Sequence, residues 1–463
     1  METKLKRIAQ ISKEQPKVVF TSIYHLINEE LLLQCHKELD GSKAVGIDKV
    51  TKDMYNADLE ENIKDLVIRL KNKAYKPTPA LRVYIPKGNG KMRPLGISIY
   101  EDKIVQLALK KILEAIYEPK FKDNMFGFRP NRGWHQAIKY VRNKITKDKI
   151  SYIVDADIKG FFDHINHDWL MKMIELNIKD TNILWLIKKY LKAGIMDNGN
   201  FIETTEGSAQ GNIVSPVLAN IYMHYALILW YKISIESKYK GETFLVVYAD
   251  DFITGFQYKW EAEAYYKELE KRMNKFCLEL ESSKSRLIEF GRFAVENRKK
   301  KGLGKPETFD FLGFTFYCSK DRLNRFSVKL KTSRKKFKQK VKAMKIWLYE
   351  NRDEKTRDIV KSLNRKLLGH YHYYGVSFNG KMLYNFRQRT IEMLFKVLNK
   401  RSNRRSYNWD GLNEMFKVYK IETPKIYVSL FEWILLWKAV CGKTARTDLY
   451  RGLMSRGICL LDC

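Results

Sequence analysis

The sequence lacks the features that would place it in a membrane or in an oxidising compartment. No run of about 18 apolar residues occurs, so no membrane-spanning helix is expected. The amino-terminal segment Met1–Gln15 has no apolar core, which is typical of a mature cytosolic protein and not of a signal peptide. The cysteines form no CxxC pair and no histidine cluster accompanies them at zinc spacing, so we expect reduced thiols and no zinc-dependent nuclease module. They are Cys35, Cys277, Cys318, Cys441, Cys459 and Cys463.

Acidic residues are scarce relative to basic ones. The chain has 86 Lys+Arg and 53 Asp+Glu, a net charge of +33. A field of that sign attracts polyanions, nucleic acid before ribosomes or anionic lipid. Residues 321–463 hold 33 basic and 12 acidic residues, a net charge of +21. We expect this last third to neutralise phosphates, and a merely soluble basic surface is the alternative.

Composition and patterning predict a globular α/β (α+β) chain with several segments. Apolar residues make up 45% and aromatic residues 13% of the 463 positions, enough for a large core. We predict a helical amino-terminal extension at 1–75, alternating strands and helices at 76–320, a basic helical segment at 321–420 and a tail at 421–463. Strands are predicted at Leu81–Ile85, Tyr152–Val154, Phe244–Tyr248, Phe252–Phe256 and Phe309–Tyr317. Helices are predicted at Lys103–Tyr117, Ile213–Leu229 and, capped by Ser333, to about Leu348, with a loop at Arg298–Pro306.

Two adjacent carboxylates stand between two apolar runs in Phe244–Phe256 (FLVVYADDFITGF). This pattern predicts a hairpin with Asp250 and Asp251 at its tip. Burying two like charges together is costly unless cations compensate, and oxygen ligands of this kind suit Mg²⁺. An ordinary polar turn is the alternative for this motif alone.

A second acidic motif follows the apolar run of Tyr152–Asp163 (YIVDADIKGFFD). Asp157 there could meet Asp250 and Asp251 on a neighbouring strand, and three carboxylates can hold two Mg²⁺ ions about 3.5–4 Å apart. Asp155 is the alternative ligand.

A third motif, Gly207–Pro216 (GSAQGNIVSP), is a glycine-bearing loop that opens a helix. Such a loop lets backbone approach a ligand closely, and a helix amino terminus favours phosphate.

The three motifs, in this order, resemble the palm motifs of reverse transcriptases, and nearly the whole chain resembles group II intron reverse transcriptase/maturases of the bacterial type that lack an HNH endonuclease. The likeness also rests on Lys43–Asp48, Val83–Gly96, Phe126–Gly133 and Phe309–Phe316, and on Leu368–Gly375 and Arg404–Asn413 in the last third. It implies a right-hand polymerase, with fingers and palm of mixed sheet and helices followed by an all-helical thumb (maturase) domain. It also implies a bacterial cytosolic or nucleoid-associated protein.

The resemblance implies roles for individual residues. Asp157, Asp250 and Asp251, with the Ile158 carbonyl, would bind two Mg²⁺ ions, for which Mn²⁺ could substitute. Lys87 and Arg93 would grip the incoming triphosphate, with template phosphate as the alternative. Gln210 would contact the nucleotide or the template, and Lys284 would reach the phosphates. Phe162 would exclude a ribose 2′-hydroxyl, with core packing as the alternative. Intron RNA would be bound by Arg334, Lys335, Lys338, Lys342, Arg404 and Arg405.

Two positions depart from the family pattern. Ala209 stands where the family usually has Pro, and Asn212 where it usually has Gly. Neither residue carries the chemistry, so an active polymerase is expected. Its partners would be intron RNA, an RNA template with a DNA primer, dNTPs and target DNA, without a membrane.

The alternatives are an RNA-binding maturase with little polymerase activity and a domesticated relative in phage defence or DNA repair. The tail segment Ala439–Thr447 (AVCGKTART) has no evident protein logic. Synonymous codons can be chosen for it that fold into a hairpin similar to the small catalytic hairpin of group II introns. We therefore expect the tail to overlap ribozyme sequence, which the nucleotide sequence of the gene would test.

Overall fold

The computed structural model describes residues 1–86, 92–208, 211–401 and 407–431. These residues form two compact units. Unit 1 comprises Met1–Ala137 and Ile150–Ile288, and unit 2 comprises Ile138–Lys149 and the chain from Glu289 onward. Among the described residues, no helix is both long enough and apolar enough to cross a bilayer.

Unit 1 is built on ten α-helices and two sheets. Its helices are α1 (Glu2–Glu14), α2 (Glu29–Glu38), α3 (Lys52–Asn56), α4 (Leu59–Lys71), α5 (Tyr100–Tyr117), α6 (Trp134–Lys147, which continues into unit 2), α7 (His167–Glu175), α8 (Thr181–Leu191), α9 (Ser215–Met223) and α10 (Lys259–Lys275). Two π-helical segments, His224–Ile228 and Tyr231–Glu236, extend the chain beyond α9.

One sheet of unit 1 carries the acidic motifs. Its strands are β3 (Tyr152–Asp157), β6 (Thr243–Tyr248), β7 (Asp251–Phe256) and β8 (Arg286–Glu289), in the order β6-β7-β3-β8. The interior of β6 and β7 is buried on both faces, and α10 packs against β3 and β7. An antiparallel sheet covered in this way holds its strand ends in fixed positions, which positions the polar residues there.

The second sheet of unit 1 has the order β2-β1-β4-β5, from β1 (Ala80–Pro86), β2 (Met92–Ile97), β4 (Ile195–Asp197) and β5 (Asn200–Ile202). Strand β1 pairs antiparallel with β2 and parallel with β4.

Unit 2 combines a small sheet with helices. The sheet has the order β11-β10-β9, from β9 (Phe309–Phe311), β10 (Phe314–Lys320) and β11 (Phe326–Thr332). Its helices beyond α6 are α11 (Ala294–Lys300), α12 (Arg334–Glu350), α13 (Thr356–Tyr374), α14 (Gly380–Leu398) and α15 (Trp409–Val418). The Ser333 hydroxyl accepts from the Lys336 N–H, which confirms the predicted cap of α12.

Three local predictions are wrong. The strand predicted at Phe309–Tyr317 is two strands, because Leu312 (φ 49°) and Gly313 (φ 82°) form a left-handed turn between them. The helical stretch expected after Asp321 begins only at Arg334, since Phe326–Thr332 pairs with β10. The predicted loop at Arg298–Pro306 begins inside α11.

The structure describes only the first part of the predicted tail. Residues 421–431 belong to the packed part of unit 2, where the Val428 N–H donates to the Gly375 carbonyl at 3.0 Å and Leu430 is fully buried. The remaining tail positions, 432–463, lie outside the described residues, so the expected ribozyme overlap stays a prediction. The division at residues 75, 320 and 420 also stays a prediction.

Candidate active site

The β6–β7 hairpin closes in a two-residue turn formed by Ala249 and Asp250. Tyr248 pairs with Asp251 across the turn. Ala249 has φ +57°, a left-handed conformation that a residue with a Cβ adopts only under strain. The two adjacent carboxylates predicted at the tip are therefore on different elements, Asp250 in the turn and Asp251 at the start of β7.

Asp157 lies directly across from Asp251. The two residues are the last pair of the β3–β7 ladder, whereas Asp155 lies two residues earlier and faces Ile253. Arg286 makes an ion pair with Asp155 at 3.8 Å. The register therefore brings Asp157, and not Asp155, to the hairpin tip.

The electrostatics of Asp250 show that the carboxylates are close enough to interact. Burial raises the pKa of the Asp250 carboxyl, and the nearby negative charge of Asp157 raises it further. The positive charges of Arg93 and Lys284 oppose this shift. Lys284 makes an ion pair with the Asp157 carboxylate, and the pKa of its ammonium group is raised mainly by that hydrogen bond.

The donor chemistry of this cluster fits a hard divalent cation. Asp157 on β3, Asp250 in the β6–β7 turn and Asp251 on β7 supply only oxygen ligands, and burial, with a contribution from the charge of Asp157, raises the pKa of Asp250. In the described part of the chain no three His, Cys, Asp or Glu side chains are already arranged around a metal position. The Lys284 ammonium group makes an ion pair with Asp157, one of the three carboxylates.

The backbone at Ile158 leaves a further oxygen at this edge. Ile158 forms an isolated antiparallel β-bridge with Leu280. Beside this β-bridge, the Lys159 N–H donates a hydrogen bond to the Glu279 carbonyl, and the Glu281 N–H donates one to the Asp157 carbonyl. The Ile158 carbonyl takes no part in either bond.

The glycine loop packs tightly against the segment that follows β3. The Gly207 N–H donates to the Ile165 carbonyl and the Ser208 N–H to the Phe162 carbonyl, both at 2.8 Å. A Cβ on Gly207 (φ +82°) would lie 2.8 Å from the Asp163 carbonyl oxygen, and one on Gly211 (φ +122°) would lie 2.4 Å from that of Gly96. Only glycine permits these approaches. Phe162, the loop and the β2 strand of Arg93 thus form one assembly.

Two nucleotide-binding predictions cannot be located, because Lys87 and Gln210 lie outside the described residues. Arg93 is exposed on β2, where it pairs with Ile85 of β1. Its positive charge opposes the rise in the pKa of the Asp250 carboxyl. The Phe162 ring is 9% exposed.

A reverse transcriptase (RNA-dependent DNA polymerase) family model matches residues 85–316, which is half of the chain and includes the three acids of the cluster, the glycine loop and Arg93. The chain belongs to this family.

The relatives that the chain matches include proteins encoded by introns. The chain is 41% identical over 222 residues to the group II intron-encoded protein LtrA of Lactococcus lactis subsp. cremoris, a match covering 48% of this chain and 37% of the relative. It is 39% identical over 187 residues to protein YkfC of Escherichia coli K12, a match covering 40% of this chain and 49% of the relative. It is 33% identical over 241 residues to a 91 kDa protein in the cob intron of Schizosaccharomyces pombe, a match covering 51% of this chain and 30% of the relative. The matches span a third to a half of these relatives. They confirm the expected resemblance to group II intron reverse transcriptase/maturases.

Motif analysis missed two residues of this reverse transcriptase beside the acidic cluster. A Cβ on Gly127 would lie 2.3 Å from the Ala249 nitrogen, so only glycine fits beneath the strained turn. Phe128 (φ +56°) is 47% exposed and makes an edge-to-face contact with Phe162 at 6.2 Å between ring centroids. Both lie in the motif Phe126–Gly133, where the backbone conformation, and not the residue types alone, shows their importance. Arg129 of the same motif is structural, since it is buried against Glu118.

The predicted RNA-binding residues of unit 2 lie on α12. Arg334, Lys335, Lys338 and Lys342 are exposed, and Met344 and Leu348 are buried on the opposite face. Arg404 and Arg405 lie outside the described residues. Of the tyrosines in Leu368–Gly375, Tyr371 and Tyr374 are buried core residues and Tyr373 is half-buried.

Proposed function

We propose that this chain is an RNA-directed DNA polymerase encoded by a group II intron, which also binds intron RNA to promote splicing and retrohoming. The observation that carries the proposal is the pairing of Asp157 with Asp251 at the strand end beside the Asp250 turn, inside a reverse transcriptase domain. The similarity to intron-encoded proteins supports the intron origin.

The reaction is nucleotidyl transfer, in which a primer 3′-hydroxyl attacks the α-phosphate of a dNTP and pyrophosphate leaves. Asp157, Asp250, Asp251 and the Ile158 carbonyl would hold two Mg²⁺ ions, or Mn²⁺ in their place. When bound, these ions lower the pKa of the hydroxyl and neutralise the charge on the phosphates.

The remaining residues orient the nucleotide. Arg93 is exposed on β2, and with Lys87 it would grip the triphosphate. Lys284 would exchange its carboxylate partner for a phosphate, and Gln210 would contact the nucleotide or template. Phe162 would lie against the sugar and exclude a 2′-hydroxyl.

The architecture that fits this reaction is a right hand. Residues 1–75 would form the extension and the start of the fingers, 76–320 the fingers and palm, 321–420 the helical thumb or maturase domain, and 421–463 the tail. The exposed cations of α12 would bind intron RNA or the template–primer duplex. Target DNA would be the other nucleic-acid partner, and the bacterial cytosol the compartment.

Primer extension on an RNA template with dNTPs and Mg²⁺ tests the proposal. We expect extension by the unaltered chain and none by Asp250→Asn. Asp155→Asn is the matched control. Asp155 lies on β3, the strand of Asp157, but it pairs with Arg286 and does not face Asp251. This variant should keep most of the activity. If the unaltered chain extends no primer but binds intron RNA tightly, the polymerase proposal fails and an RNA-binding maturase takes its place.

A further inference from the structure

Helix α8 has one buried face and one face that lines a groove. Its buried face carries apolar residues such as Ile183 and Leu186, and Asp180 caps its first turn by accepting from the Ile183 N–H. The opposite face repeats at helical spacing and faces an open groove of about 610 Å³. The residues of this face are Thr181, Leu184, Trp185, Lys188, Lys189 and Lys192, and Lys76 and Pro77 form the facing wall.

The groove is cationic, and its charges have no partner. Four lysines line it and no acidic residue does. Within the described ranges, none of the four makes an ion pair or a side-chain hydrogen bond. Some helix lysines of unit 1 pair with an acid one turn away, as Lys110 does with Glu114 at 3.6 Å, whereas the four groove lysines do not. An anion in the groove would relieve the mutual repulsion of these lysines.

The groove also holds an aromatic ring without a ring partner. Trp185 is half-buried, with its inner part packed on the core. Of the tryptophans in the described part of the chain, it alone contacts neither another ring nor a cation. The others, with their contacts, are Trp134, Trp169, Trp230, Trp260, Trp347 and Trp409.

The two walls of the groove are held in place from behind. The hydroxyls of Tyr75, next to Lys76, and Tyr190, on α8, are 2.6 Å apart. Both also bond to Asp102, Tyr75 to its carboxylate and Tyr190 to its carbonyl at 3.3 Å. A ligand would therefore meet a groove that is already formed, which reduces the entropy lost on binding.

We propose that this groove binds a single-stranded nucleic acid, with one base stacked on Trp185 and consecutive phosphates at Lys188, Lys192 and Lys76. A partly exposed ring among cations is an arrangement by which proteins hold unpaired bases. Lys188 and Lys192 are one helical turn apart, about 6 Å of rise, which is close to the spacing of phosphates in an extended strand. A duplex offers no unstacked base, so a single strand is the favoured ligand. The groove shares no residue with the carboxylate cluster, so the proposal does not depend on polymerase chemistry.

Photocrosslinking of the full-length chain to 5-iodouridine single strands tests this. We expect a crosslink at Trp185, found by mass spectrometry of the digest, with RNA, with DNA or with both. Separate RNA, DNA and blunt duplex arms distinguish the sources, and the duplex should crosslink at least fivefold less. No crosslink at Trp185 with either single strand, or equal yield with the duplex, would overturn the proposal.

A charge variant tests the lysines while the ring stays in place. Lys188→Gln/Lys189→Gln/Lys192→Gln should reduce the Trp185 crosslink at least tenfold. It should also reduce the slope of log K against log salt concentration for single-strand binding by the equivalent of about two phosphate contacts. The matched control, Lys267→Gln/Lys271→Gln/Lys275→Gln, removes the same charge from an exposed face of α10 and should leave the crosslink unchanged. Thermal melting verifies that both variants fold. Equal crosslinking by the two triple variants would contradict the proposal.

Discussion

The Lys284 ammonium group makes an ion pair with the Asp157 carboxylate, at the strand end where Asp157 faces Asp251. A positive side chain thus neutralises one of the carboxylates proposed to hold metal. The Lys284 charge also opposes the rise in the pKa of the Asp250 carboxyl that burial causes. The negative charge of Asp251 in turn contributes to the raised pKa of the Lys284 ammonium group. Lys284 therefore interacts with all three acids, and a divalent cation would have to displace it from Asp157.

Lys284→Met should bind Mn²⁺ more tightly in the absence of nucleotide, because no internal cation competes for Asp157. We expect a several-fold lower dissociation constant, measured by the loss of the free Mn²⁺ signal in electron paramagnetic resonance, together with slower primer extension. Lys159→Met is the matched control: Lys159 is an exposed lysine that pairs with Glu279 at 3.3 Å and contacts none of the three acids. An unchanged Mn²⁺ affinity in Lys284→Met would show that the ion pair does not compete with metal.

Gly127→Ala should disrupt the acidic turn. The added Cβ would lie 2.3 Å from the Ala249 nitrogen, so the turn that carries Asp250 must shift. Because catalysis depends on placement at the ångström scale, we expect primer extension to fall on the order of 10²-fold. Gly369→Ala is the control, since a Cβ there meets nothing within 4 Å in an exposed helix. Normal extension by Gly127→Ala would mean that the turn tolerates the shift.

Phe162→Val should weaken discrimination against ribonucleotides if the ring lies against the sugar. The ring is 9% exposed and meets Phe128 edge to face, so one edge remains available to a ligand. We expect the ratio of kcat/KM for dCTP over CTP to fall by roughly 10- to 100-fold. Phe161→Val is the matched control, because Phe161 is 2% exposed and belongs to the core. It should lower the melting temperature without changing the ratio. If both variants change the ratio equally, core packing is the role of Phe162.

The acidic cluster was predictable because apolar runs fix the strands that carry it. The pattern of Phe244–Phe256 requires two strands around a short turn, and a strand ending at Asp157 is free to pair with the second of them. The register that chooses Asp157 over Asp155 was not predictable, since it depends on the pairing of β3 with β7. The Lys284–Asp157 ion pair likewise joins residues 127 positions apart.

Other features depend on backbone conformation, which letters do not reveal. Phe309–Tyr317 has the composition of one strand, but the left-handed conformations at Leu312 and Gly313 divide it. The importance of Gly127 becomes visible only through its distance to Ala249. The groove on α8 is detectable in the sequence as a lysine and tryptophan repeat at helical spacing, yet only the structure shows that this face is open.

Asp102 should make the stability of the fold depend on pH. Asp102 is 1% exposed and accepts hydrogen bonds from Tyr75 and from the Thr78 N–H, and burial raises its pKa from 3.8 to about 7. Between about pH 4 and pH 7 the folded chain therefore keeps a proton that the unfolded chain has lost. Stability contributed at this position falls as pH rises through that window, by roughly 4 kcal/mol at most.

Asp102→Asn removes this titration. Relative to the variant, the unaltered chain should lose stability between pH 5 and pH 8, which urea unfolding at several pH values would measure. The comparison cancels titrations common to both proteins, such as those of His224 and His370, whose pKa burial lowers to about 3. A stability difference that stays constant across this range would mean that Asp102 is charged in the fold at pH 5. In that case the hydrogen bonds from Tyr75 and Thr78 would outweigh the cost of burying the charge, and the wall of the α8 groove would be held by an ionised carboxylate.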